Sequence, residues 1–226
     1  KAVCLNLNND QSVACGMRVS RSHKKVSVPV GPATMGRVFN ALGEPLDKAE
    51  PITDNLRPIS VPSGTTSYRD SSNLELLETG LKVIDFLTPF VKGRKIGVIG
   101  GAGVGKTVLT MEMIHNVTRG GNNKSLSIYC GVGERIREGN ELYETLKDTD
   151  VLKNTVMFCG QMDATPAIRS MVGTAASTSA EYFPDEEGLD ILFFVDNIYR
   201  HVQAMTELST NLGLIPSEGG YSPMVF

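Results

Sequence analysis

Residues 100–107 read Gly100-Gly101-Ala102-Gly103-Val104-Gly105-Lys106-Thr107, which fits the pattern G-x-x-x-x-G-K-[ST]. Glycines in this order let the backbone turn its N–H groups toward phosphate oxygens without a Cβ in the way. Lys106 offers a mobile cation to β- and γ-phosphates, and Thr107 offers a hydroxyl to Mg²⁺. The helix that opens at Lys106 and carries Val108 adds its positive N-terminal end. Gly100 to Val108 are therefore the expected nucleotide-binding set.

Two further positions extend this chemistry. Glu134 and Arg135 follow a short apolar run and Gly131-Val132-Gly133, where glycines permit a sharp turn. A carboxylate there can accept a hydrogen bond from a water lined up on the γ-phosphate. Arg135 can hold a phosphoryl group bidentately. The plainer reading is a surface Glu–Arg pair, with Arg137 and Glu138 as solvated charges at a helix start. Asp196 ends the apolar run Ile191–Val195. A carboxylate at the end of a buried strand lies beside a phosphate cradle in a parallel sheet and suits a Mg²⁺-bound water. Its plainer reading is a strand-end turn residue.

The elements that must position these groups change character along the chain. Val3, Leu5 and Leu7, and then Val26, Val28 and Val30, alternate with polar or small residues, which predicts strands within residues 1–30. Residues 31–75 are rich in Pro, Gly and Ser, with turns at Gly43-Glu44-Pro45 and over 57–64. Leu76 to Leu87 has roughly helical spacing. Ile96–Ile99 reads as a short strand before the cradle, and Lys106 to about Val117 as a helix whose apolar face carries Leu109, Met113 and Val117. Ser127–Cys130, Thr155–Cys159 and Ile191–Val195 read as buried strands with helices between. This predicts an α/β fold with a mostly parallel sheet covered on both faces.

Bulk properties narrow the function. A net charge of −3 argues against general nucleic-acid affinity. No apolar stretch reaches the roughly 20 residues of a membrane helix. Cys4, Cys15, Cys130 and Cys159 are widely spaced and predict buried free thiols. His23 and His115 carry no pattern, His201 reads as a packing or interface residue, and Met111, Met113 and Met205 as core fillers. A first residue other than Met and the apolar end Met224-Val225-Phe226 predict a piece of a longer protein.

The cradle, together with the run from Gly131 to Tyr143, resembles the beta (catalytic) subunits of rotary F-type ATP synthases. So do Val28–Pro32, Gly36-Arg37, Asn40–Pro45, Gly160-Gln161-Met162, Ala180–Phe183, Asp196-Asn197-Ile198 with Arg200, and Gly220-Tyr221. These blocks run in the family's order over nearly the whole chain. The resemblance implies a RecA-like P-loop domain over residues 26–226, preceded by remnant strands of an N-terminal β-barrel in residues 1–25. The family's adenine-flanking aromatics and C-terminal helical domain are not in this chain.

By the same resemblance, Lys106 and Arg135 bind phosphate, Glu134 orients the attacking water, and Arg200 lies near the γ-phosphate. Thr107 ligates Mg²⁺, while Glu138 and Asp196 hold Mg²⁺-bound waters. ATP or ADP is the substrate, at an interface with alpha-type subunits in an alternating ring around a gamma-type rotor. Turnover is coupled to proton transport. No nucleic acid and no membrane insertion is implied; the chain sits peripherally on a bacterial plasma membrane, thylakoid or mitochondrial inner membrane, facing cytoplasm, stroma or matrix.

Departures from the pattern are Ile136, Asp163-Ala164-Thr165-Pro166, Tyr199, His201, Glu218-Gly219 and a longer 120–124 segment. They remove no phosphate or Mg²⁺ ligand. They leave open a divergent paralogue, or a related RecA-like motor with another load. A nucleotide-binding subunit without turnover is a third possibility, against which Glu134 weighs.

Overall fold

The computed structural model describes residues 4–7, 13–59, 75–101, 103–120, 125–217 and 220–221, with the backbone alone for 118–120. Val3, Ala102, the end of the 57–64 turn, 121–124, Glu218-Gly219 and Met224-Val225-Phe226 lie outside the described residues. In chain order the elements are β1 (Ser27–Pro29), β2 (Val38–Phe39), β3 (Leu56–Pro58), β4 (Leu76–Leu77), α1 (Lys82–Leu87), β5 (Phe90–Val91) and α2 (Lys106–Gly120). There follow β6 (Ser125–Glu134), α3 (Ile136–Asp148), β7 (Thr155–Gln161), α4 (Pro166–Tyr182), β8 (Asp190–Asp196) and α5 (Ile198–Asn211).

The main sheet has the order β2-β7-β6-β8, and every pairing in it is parallel. Its middle strand, β6, is buried from Leu126 to Gly133. Alternation within β6 divides the core. Leu126, Ile128, Cys130 and Val132 join Val156 and Phe158 of β7 on one face, against Ile168, Val172, Ala175 and Ala176 of α4. Tyr129 and Met157 lie on the other face, against Ile114 of α2 and Leu142 and Leu146 of α3. A sheet covered on both sides needs strands buried on both sides, which is why β7 and β8 show no polar alternation and why Ser127 of β6 is buried as well. Removing each such side chain from water is worth about 1.5–3 kcal/mol. Phe39 and Phe158, both fully buried, bring their ring centroids to 5.7 Å and fasten β2 to β7.

Two helices begin on local signals. Thr165 Oγ1 accepts from the Ile168 N–H at 3.3 Å and Pro166 occupies the first helical turn of α4. Asn197 Oδ1 accepts from the Arg200 N–H at 2.9 Å at the start of α5. A cap of this kind contributes about 1 kcal/mol. Arg169 on α4 then pairs with Glu207 on α5 at 2.5 Å, joining the two helices.

Four expectations need correction. The helical spacing of Leu76–Leu87 yields a helix only over Lys82–Leu87, because Gly80 sits at φ +73° and interrupts it. Asp85 stabilises that turn by accepting from the N–H groups of Thr79 and Gly80 and from Thr79 Oγ1, bonds that hold its carboxyl below the usual range. Leu76–Leu77 instead pairs antiparallel with β5. Ile96–Ile99 forms no strand, and Ile99 is 99% exposed. Gly97 leaves that short run one side chain fewer to pack and costs extra backbone entropy to order. Near the N-terminus, residues 4–7 and 13–26 carry no strand; only the alternation around Val28 does, as β1 against β3. Cys4 and Cys15 are exposed, since no packed element covers them, whereas Cys130 is buried and Cys159 half-buried; all four are free thiols.

Candidate functional site

Parallel strands bring their C-terminal ends to one edge. Glu134 ends β6, Gln161 ends β7 and Asp196 ends β8. The register sets Asp196 opposite Gly131 and Glu134 opposite Gln161, with an irregularity between Val132 and Glu134. Gly133 sits in that irregularity at φ +67°, and a Cβ there would lie 3.1 Å from Arg200 Cβ. Glycine both makes the turn and lets the stem of Arg200, in the first turn of α5, lie across the end of β6.

The phosphate-cradle residues open α2. Gly103 and Gly105 adopt φ of +74° and +90°, which residues with a Cβ rarely tolerate. Lys106 Nζ donates to the carbonyl oxygens of Gly100 and Gly101, each at 2.6 Å. The described loop residues, Thr107 and Val108 are exposed. Ala102 lies outside the described residues.

Electrostatics tie the strand ends to the helix start. Glu134 is pushed up to about 7, first by burial, then by the hydrogen bond to the Glu138 carboxyl and the charges of Asp196 and Glu138. Asp196 is likewise raised by burial, against which the Lys106 charge and the Tyr129 hydroxyl work. Asp196 thus feels Lys106 and Glu138, and Glu134 feels Asp196 and Glu138, although the four come from α2, β6, α3 and β8. Among the described residues no three His, Cys, Asp or Glu side chains form a direct metal-holding group. Glu138 and Asp196 were expected to act through water, which needs no such group.

The arginines lie at the rim. Arg135 Nη1 faces Glu138 Oε1 at 3.6 Å with its side chain 70% exposed. Arg200 Nη1 donates to Gln203 Oε1 at 2.9 Å. Arg137 pairs with Glu141 along the exposed side of α3, as a solvated helix pair does. His201 is half-buried, its Nδ1 has no partner, and burial lowers its pKa. Its ring lies against Gly173 of α4, the position of a packing residue.

Tyr129 was missed. It is 2% exposed, and its hydroxyl lies 3.5 Å from Asp196 Oδ2. The available signal was a single phenol inside an otherwise apolar or small run, because a buried hydroxyl must find a partner.

A carboxyl raised on folding binds its proton more tightly in the folded state. Its contribution to stability is full below 4.5 and is lost as pH rises through about 7. The thermal midpoint of the wild type is therefore expected to fall relative to that of Glu134→Gln across this interval. Parallel melting curves at several pH values check it; a constant difference would refute the burial of this charge.

A parallel α/β sheet, with a G-x-x-x-x-G-K-T turn opening a helix beside acidic strand ends, defines the class of nucleotide-binding domains. The family model for the nucleotide-binding domain of the ATP synthase alpha/beta family matches residues 80–226, and the chain belongs to that family. Membership carries nucleotide binding, ATP hydrolysis as the general family chemistry, and hetero-oligomeric assembly. The family forms the peripheral part of ATP synthases. No described helix is long and apolar enough to cross a membrane.

Proposed function

We propose that the chain is the catalytic, beta-type subunit of a rotary ATP synthase or ATPase, making or hydrolysing ATP with Mg²⁺ and coupled to proton transport. The observation that carries this reading is the convergence of Lys106, Glu134, Glu138 and Asp196 at one sheet edge. Glu134 and Asp196 are half-buried carboxylates raised by burial and by acidic neighbours, so a cation beside them is favoured, and the donor set suits Mg²⁺. In this reading Thr107 ligates the metal while Glu138 and Asp196 hold its waters. The bound ion supplies charge neutralisation on the phosphates.

The chain's own groups do the rest. Lys106 exchanges the carbonyls of Gly100 and Gly101 for phosphate oxygens. Arg135 and Arg200 close the rim around the γ-phosphate. Glu134 orients a water in line with it and accepts its proton. The partition into barrel remnant (1–25) and P-loop domain (26–226), an alternating ring with alpha-type subunits, a gamma-type rotor and an energy-transducing membrane belong to the same reading. A divergent paralogue with another mechanical load is the second reading. It is favoured by Ile136 and Tyr199, departures from the family pattern that are 49% and 70% exposed.

The test is reconstitution of the full-length chain with its alpha-type partner. Mg²⁺-dependent ATP hydrolysis is expected from the complex and far less from the chain alone, since in this reading the site is completed at the interface with the alpha-type subunit. A complex that binds nucleotide yet hydrolyses none would refute the catalytic assignment.

A further inference from the structure

Tyr129 has a place in the fold that its apolar packing alone does not explain. Its ring lies in the cluster of Ile114, Leu142, Leu146 and Met157, between the sheet and helices α2 and α3. Tyr129 stands opposite Phe194, while Asp196 stands opposite Gly131, two residues further along. Two residues of a parallel strand rise about 6.6 Å, a span a phenol can reach along the strand. Gly131 leaves room for that reach, because a Cβ on it would lie 3.1 Å from Tyr129 Cε1. The hydroxyl thereby arrives 3.5 Å from Asp196 Oδ2.

We propose that Tyr129 is a positioning residue: it donates its hydroxyl to Asp196 Oδ2, fixes the rotation of that carboxylate, and leaves the other oxygen for a magnesium-bound water. This rests on the reading of Asp196 as a holder of metal-bound water. The phenol is suited to the task because its hydroxyl carries one O–H to donate, and a buried hydroxyl must find a partner. Outer partners that orient a metal's ligands commonly change metal affinity by 10–100-fold when removed. The ring also shares its buried cluster with Ile114 of α2, the helix that begins with Lys106 and Thr107.

The test is Tyr129→Phe, which keeps the ring and removes the hydroxyl, in the complex assembled from full-length subunits. Mg²⁺ is titrated in the presence of ADP and nucleotide binding is followed calorimetrically, with thermal midpoints recorded in parallel. The Mg²⁺ half-saturation point is expected to rise about tenfold, while ADP affinity without Mg²⁺ and the metal-free midpoint stay at wild-type values. An unchanged half-saturation point overturns the proposal. So does an equal loss of ADP affinity without Mg²⁺, which would assign the effect to packing. Adding Tyr129→Phe to Asp196→Ala is expected to change nothing further, since the hydroxyl then has no carboxylate to orient; a second tenfold loss there overturns the proposal as well. A wild-type complex whose ADP binding ignores Mg²⁺ would remove the functional reading itself, a different result from a wild-type dependence that the variant shares.

Discussion

Glu134→Gln is expected to lower turnover in the assembled complex by about 10²–10⁴, the usual worth of a positioned proton acceptor, while nucleotide affinity stays near wild type. The substitution keeps the side chain's shape and removes its charge. A water-orienting carboxylate acts mainly on the transition state, so its loss shows in kcat rather than in binding. The environment of Glu134 supports this split. Its burial and its acidic neighbours raise its pKa to about 7, the range in which a group accepts a proton and releases it again near neutrality. Steady-state hydrolysis together with direct nucleotide titration reads both quantities. Near-normal hydrolysis by the variant would make Glu134 structural, and the catalytic assignment would fall with it.

Lys106→Ala is expected to weaken ATP binding about 10–100-fold, the loss of one or more charge-assisted hydrogen bonds to phosphate. The folded chain should tolerate the change. Among the described residues Lys106 Nζ donates its hydrogen bonds to the carbonyls of Gly100 and Gly101, which lie on an exposed loop and can turn to water instead. Adenosine, which has no phosphate, should bind the variant and the wild type alike. Titrating both ligands separates a phosphate contact from general damage. An unchanged ATP affinity would mean that the cradle assignment is wrong.

Local grammar reached furthest where several signals agreed. β6, β7 and β8 are short apolar runs between helices, and each appears within a few residues of its expected span. Their true ends run past the apolar residues to Glu134, Gln161 and Asp196, because backbone pairing continues where hydrophobicity stops. The start of α2 at Lys106 was legible because the glycines before it have one conformational use. Ile96–Ile99 was misjudged because an apolar run becomes a strand only when a neighbour accepts its hydrogen bonds, and no local pattern reports that. Leu76–Leu87 failed for a related reason: Asp85 bonds back to Thr79 and Gly80, and such a turn competes with helix. Of the candidate site, Lys106, Glu134, Glu138 and Asp196 were all named from sequence. Their mutual influence depends on strand order, which pairs β8 with β6 and so sets Asp196 opposite Gly131, two residues from Tyr129. Tyr129 was invisible for the same reason, since its partner lies far along the chain.

The position of β8 at the end of the sheet order has a kinetic consequence. Among the described residues β8 has a strand on one side only, whereas β6 has one on each. Alternate amides of a parallel edge strand point away from its neighbour. In deuterated solvent, β6 should retain its protons along its whole length, while β8 should lose those of every second residue early wherever no strand outside the described residues pairs with that edge. Asp196 would then stand at the end of a strand that breathes on one side, beside a Glu134 whose strand does not, so the two acids of the site would report on local opening at different rates.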